Sequence, residues 1–343
     1  MKLKTLSNEE VVNETIRLLE NNNEWADRYN GYASAILKNK DKYGMRSRKF
    51  KINSPLYVYS SITKVKSNSS TCTFDLRFAG QSVGEIKVDR NGCILLNVDD
   101  EQAKYVHEHF GSTFLKGFSK EWKSPIATEF RQLFMNQSST KSTKVHSQEH
   151  RIENWMLAEF SKKTRSEGKL LCDIQPVRLG GKFFQLATPL SASKHGNPPK
   201  YSNEKGGGID ILARVNHTTN TRDNRLAVIE LKDDNNPTES QAMTLQQSLA
   251  YATFLAYLLR SNSGTNWWHI FGRSREVPEI LHIDAVTLMP DEGASEEGCL
   301  NEISINKLNV ILHPHTLYFN RGADGNPISF SGTLKDSLAN KGL

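Results

Sequence analysis

An apolar segment carrying two charges, Leu226-Ala-Val-Ile-Glu-Leu-Lys232, restricts this chain more than any other stretch. Leu226, Val228, Ile229 and Leu231 make it a strand inside a sheet rather than one on a surface. A helical period runs from about Thr238 to Arg260, with Leu245, Leu249, Ala252, Ala256 and Leu259 at core-facing spacing. Strands follow over 280–289 and 308–319. Upstream, 148–160 reads as a helix with Ile152, Trp155, Met156 and Phe160 on one face, followed by strands at 170–178 and 182–187. That order predicts an α/β fold with a mixed β-sheet flanked by helices.

The charges in that strand need an explanation. Residues i and i+2 of a strand share a face, so Glu230 and Lys232 project together. Burying them is costly unless they are paired or bound to a metal. Asp210 follows Gly206-Gly-Gly-Ile209 and opens another strand, and a hairpin would bring it beside Glu230. Two carboxylates and a neighbouring backbone carbonyl, that of Leu231, make a hard oxygen site suited to magnesium. A lysine beside such an ion orients water and stabilises charge on a phosphate. The three glycines either form a flexible turn or let phosphate approach Asp210. Gln175, Lys182, Gln185 and Lys194 lie on the segments leading to Asp210, within reach of a substrate. Asp233 and Asp234 read as solvated loop residues, His313-Pro-His315 as strand surface, and Trp267-Trp268 as a cap on the core.

The first part of the chain has a different character. Residues 1–145 hold 23 Lys+Arg against 16 Asp+Glu, a net of +7, whereas 146–343 hold 21 against 22. The basic excess points to a polyanionic partner for the first part. Helices are expected over 8–20 and 24–38. A basic stretch, 38–51, then interleaves Tyr43 and Phe50 with cations, a composition suited to phosphate contact and base stacking. Alternation over 56–65, 71–78, 82–88 and 93–98, broken by turn residues, predicts a small antiparallel sheet. Helices are expected near 99–110 and 119–135. The polar segment 136–147 marks a boundary between a basic α+β domain, 1–145, and a second domain, 146–343.

The Asp210…Glu230-Leu-Lys232 order, followed by a helix, resembles the PD-(D/E)XK nuclease superfamily, whose signature is an acid at a strand start, a later Glu-x-Lys strand and then a helix. Gln247-Ser-Leu-Ala-Tyr251 matches the Gln-x-x-x-Tyr helix motif of part of that superfamily. Asp210 is preceded by Ile209 rather than proline. The resemblance covers about 148–260. It implies a restriction-endonuclease-like fold and a magnesium-dependent nuclease, with manganese able to substitute, acting on DNA more readily than on RNA. Asp210, Glu230 and the Leu231 carbonyl would hold the metal, and Lys232 would position the attacking water. Gln247 and Tyr251 would orient substrate or Lys232. The upstream glutamate is assigned to Glu153, with Glu149 and Glu159 as rivals. The competing reading is a non-catalytic nucleic-acid-binding or interaction protein on the same fold.

Composition narrows the setting. No window approaches the ~20 apolar residues of a membrane span, and the first ten residues lack the apolar run of a secretory signal. Cys72, Cys93, Cys172 and Cys299 lie far apart, without zinc-finger spacing, as expected of a reduced cytoplasmic protein. Double-strand cutting with one site per chain would favour a homodimer.

Overall fold

The computed structural model describes residues 6–42, 55–62, 71–135, 137, 148–163, 168–192, 198–217, 225–233, 240–291 and 300–339, except the side chain of Lys205. The basic residues 43–51 with Tyr43 and Phe50, nearly all of 136–147, Lys194, Asp234 and Cys299 lie outside the described residues.

Helix α1 (Asn8–Asn21) begins at a reciprocal cap in which Ser7 and Glu10 satisfy each other's backbone N–H groups. Helix α2 (Glu24–Lys38) follows after a two-residue turn. Strands β1 (Leu56–Ser61), β2 (Cys72–Phe78), β3 (Gln81–Val88) and β4 (Ile94–Val98) form an antiparallel meander. Asp99 caps α3 (Asp100–Phe110), and Gly111 ends it in the left-handed region.

The helix expected near 119–135 is shorter than that. Phe118–Glu121 forms strand β5 on the edge of β4, and α4 (Pro125–Met135) starts only at a proline whose missing N–H suits a first helical turn.

Helix α5 (Gln148–Phe160) leads into short strands β6 (Ile174–Pro176), β7 (Arg178–Leu179) and β8 (Lys182–Gln185). A two-stranded ribbon, β9 (Leu190–Ser191) with β10 (Lys200–Tyr201), precedes β11 (Ile211–Val215) and β12 (Arg225–Leu231). Helix α6 (Gln241–Arg260), capped by Ser240, and α7 (Gly264–Ile270) come next. The described chain closes with β13 (Leu281–Pro290), β14 (Ile303–Ile305), β15 (Val310–Arg321), β16 (Pro327–Ser331) and α8 (Thr333–Ala339).

Two mixed sheets result. The first runs β5-β4-β3-β2-β1-β8-β7, with β8 parallel to β1 through Tyr59↔Phe183. The second runs β14-β15-β13-β12-β11-β6, with β16 on β15. Strands β6, β11 and β12 are antiparallel neighbours, and β13 and β15 continue parallel to β12. The protein is thus mixed α/β, with mixed sheets flanked by helices.

Side-chain parity divides the second sheet. Leu226, Val228, Ile283, Ala285 and Leu312 face α6. Ala227, Ile229, Val286, Leu288 and Leu317 face Ile152, Met156 and Phe160 of α5. Residues from both sides of position 145 share these cores. Trp25 and Tyr29 of α2 meet Phe254 of α6 edge-on at 5.6 and 5.0 Å, and Gln246 donates to the Leu6 carbonyl at 2.6 Å. Trp267 and Trp268 are buried over the same core. Among the described residues no helix is long and apolar enough to cross a membrane.

Candidate functional site

The β11–β12 hairpin sets the geometry. Ile211 lies opposite Ile229, so Asp210 falls beside Glu230 at the strand ends. The Leu231 N–H donates to Asp210 Oδ2 at 2.8 Å, and the Asp210 N–H to Glu230 Oε1 at 3.4 Å. Glu230 is fully buried on the face covered by α6. There Gln247, one turn before Tyr251, donates from Nε2 to Glu230 Oε2 at 2.6 Å. Gln247 therefore holds Glu230.

Helix α5 supplies the other wall. Glu149 lies 3.5 Å from the buried Lys232 ammonium. Glu153, one turn further, is 5% exposed, and its Oε1 makes no hydrogen bond among the described residues. Glu159 has other duties: it accepts the Leu170 N–H at 2.6 Å and pairs with Lys162 at 2.5 Å. Of the three upstream glutamates, Glu149 and Glu153 belong to the cluster, and Glu159 does not.

Crowding these acids away from water raises their pKa values. Burial, followed by the charge of Asp210, pushes Glu153 up to about 8, against the opposing pull of Arg77. Burial also lifts Asp210 to about 6, although Lys232 opposes it. Glu230 goes well above the usual range, through burial and then Asp210. Lys232 and Arg77 do not offset the crowding of these acids in full, and a divalent cation would add the positive charge that favours their ionised forms. Asp210 and Glu230 thus fit a hard cation as a pair. They do not form a closed three-carboxylate ring: among the described residues, the one group of three His, Cys, Asp or Glu ligand atoms within 4.8 Å of one another is His217, Asp284 and His315.

The first sheet also reaches this site, which no motif announces. Arg77 of β2 pairs with Asp75 at 2.6 Å, donates to Gln185 Oε1 at 3.0 Å and lies 4.2 Å above the Tyr59 ring. Tyr59 in turn donates to Asn154 Oδ1 of α5 at 3.0 Å. The β2–β3 turn docks directly on α5. A side chain at Gly80, whose φ is +83°, would lie 2.7 Å from the His150 carbonyl carbon. Gln185 is thus engaged by Arg77, and Lys182 is buried with its ammonium on the Gly180 carbonyl at 3.2 Å. Gln175 receives Arg214 at 3.4 Å.

Several expectations need correction. Among the described residues, Gly206 and Gly207 are packed too closely to admit a side chain, whereas one at Gly208 would meet nothing within 4 Å. Gly207 bonds through its N–H to the Leu190 carbonyl at 2.6 Å, and a side chain there would overlap the Tyr251 hydroxyl. Tyr251 is fully buried against that segment, so it braces the approach to Asp210. Asp233 is not a solvated loop residue, since it is buried and paired with Arg321 at 2.6 Å. His313 and His315 are not strand surface: His313 is 6% exposed, and the His315 side chain 14%.

None of the family models, curated proteins or solved structures compared with this chain matches it.

Proposed function

We propose that this protein is a magnesium-dependent nuclease of the PD-(D/E)XK type, with a restriction-endonuclease-like second sheet, acting on DNA in preference to RNA. The observation that carries this reading is the hairpin that sets Asp210 against Glu230, with Lys232 and the α5 acids at the same strand ends. The element order agrees with the resemblance: an acid-bearing helix, an acid before a strand, a Glu-x-Lys strand, then a helix with Gln247 and Tyr251.

Asp210 and Glu230 would hold the cation, which would supply a water of lowered pKa and shield the scissile phosphate. The remaining work belongs to the chain itself. Gln247 fixes the rotamer of Glu230, and the Leu231 N–H fixes that of Asp210. Lys232, released from Glu149 when phosphate arrives, would orient the attacking water and stabilise charge at the phosphate. Arg77, carried by the basic first part of the chain, stands beside this wall as a second cation.

Cleavage of supercoiled plasmid, single-stranded DNA and RNA, with magnesium, manganese or EDTA, tests the reading. Metal-dependent cutting should fall by roughly 10²–10⁴-fold in Lys232→Ala and be lost in Asp210→Ala. Folded protein that cuts none of the three substrates with either metal would overturn the catalytic reading and leave a nucleic-acid-binding protein.

A further inference from the structure

The second sheet carries another cluster, on its opposite face and toward its opposite end. Asp284 of β13 is flanked in register by Ala227 of β12 and His313 of β15. Glu230 pairs with Thr287, so the two sites are offset by three residues, roughly 10 Å along the strands. His217 lies two residues past the end of β11, with Nε2 2.6 Å from Asp284 Oδ2. His315 Nε2 lies 3.7 Å from Asp284 Oδ1, and the two imidazole rings stack with centroids 5.9 Å apart.

We infer that His217, Asp284 and His315 form a binding site for a first-row transition-metal ion, with zinc the best match and solvent in the fourth position. Four observations support it. The three ligand atoms lie within 4.8 Å of one another, a spread that small side-chain rotations bring to bonds of about 2.0–2.2 Å. Asp284 is completely enclosed, and its two carboxylate oxygens face the Nε2 atoms of His217 and His315, so the three groups converge on one point. Among the described residues, His315 Nε2 is buried and makes no hydrogen bond within normal reach, its nearest charged neighbour being Asp284 Oδ1 at 3.7 Å, so it is free to turn onto a shared ion. Two imidazoles and one carboxylate select zinc and its neighbours over magnesium, which prefers oxygen alone.

Other charged groups face the cluster. Arg225 Nη1 lies 3.4 Å from Asp284 Oδ1. It opens β12 and is 27% exposed, so it can turn to solvent when the ion enters. Beside Asp284, His313 Nε2 lies 2.8 Å from His282 Nδ1, and His313 Nδ1 lies 2.9 Å from Glu302. This second imidazole pair borders the site without entering the three-ligand group. A bound ion would tie β11, β13 and β15 together across β12. It depends on none of the residues assigned to cleavage.

The test uses tag-free full-length chain, stripped with EDTA, dialysed against zinc and analysed by elemental mass spectrometry, with cobalt as a spectroscopic probe. Wild type and Glu230→Gln should each retain about one zinc per chain, and cobalt should give the visible absorption of a low-coordinate nitrogen–oxygen site. His217→Ala and His315→Ala should lose zinc affinity by more than the roughly 10–100-fold that loss of an outer-shell partner costs. Zinc should raise the melting temperature of wild type but not that of His315→Gln, the milder variant included in case alanine unfolds the chain. Three results would overturn the site: no zinc retained by wild type, unchanged retention in both folded histidine variants, or loss confined to Glu230→Gln.

Discussion

Replacing Glu153 by glutamine should make the metal-free protein more stable in alkaline solution, an unusual outcome for a buried residue of a candidate site. The cause is the buried carboxyl whose pKa rises from 4.5 to about 8. Between those values the unfolded chain has released its proton and the folded chain has kept it. Stability contributed by the protonated group is therefore complete below pH 4.5 and is lost as pH rises toward about 8. The loss is about 1.4 kcal/mol per pH unit, which sets a ceiling near 5 kcal/mol for Glu153. Water penetration and local relaxation bring the expected difference to roughly 2–4 kcal/mol. Urea unfolding in EDTA at about pH 5, 7 and 9 measures it. The two proteins should be nearly equal near pH 5, and Glu153→Gln should lead by the full amount near pH 9. Magnesium should narrow the gap by compensating the charge. A difference that does not change with pH, or a variant less stable at high pH, would refute the reasoning.

Magnesium affinity should climb with pH through the range set by Asp210, about 6, and Glu153, about 8; protons must leave before a cation enters, and calorimetry in buffers of different ionisation enthalpy would show their release. Gly207→Ala should destabilise the fold by about 1–3 kcal/mol through overlap with the Tyr251 hydroxyl. Tyr251→Phe should restore part of that loss, since ring carbon Cζ would still lie 3.0 Å from the new methyl; strict additivity of the two changes in thermal melts would count against the contact. Arg321→Met removes the guanidinium that pairs with buried Asp233 at 2.6 Å, with an expected cost of up to about 3–5 kcal/mol that Asp233→Asn in the same chain should partly recover in urea titrations.

What the sequence made legible follows from the range of each interaction. Asp210 and Glu230 could be paired on paper because both lie at the ends of apolar strands, and a hairpin register brings such ends together. Helix α6 was readable because its apolar residues recur over five turns. Strand β5 was not, since Ser119-Lys-Glu121 is polar and exposed, and only Phe118 packs inward while the rest is held by edge pairing with β4. The Ser124-Pro125 start of α4 was a usable signal that the longer helical reading overran. His217, Asp284 and His315 have no common spacing, because two strands and the residues after a third, from distant parts of the sequence, bring them together. Arg77 was hidden for the same reason: its neighbours Tyr59 and Gln185 come from β1 and β8.

The parallel pairing of β8 with β1 also bears on how the chain is made. Phe183 leaves the ribosome about 124 residues after Tyr59, its register partner, which at 5–20 residues per second is roughly 6–25 s of synthesis. Throughout that interval β1 can be zipped to β2 on one side while its other side carries unpaired amides and the apolar Tyr57 and Tyr59 surface. A nascent chain paused within this span would present a sticky template to its neighbours on the same messenger. Chaperone demand should therefore be greatest before residue 185 emerges and fall once β8 has docked.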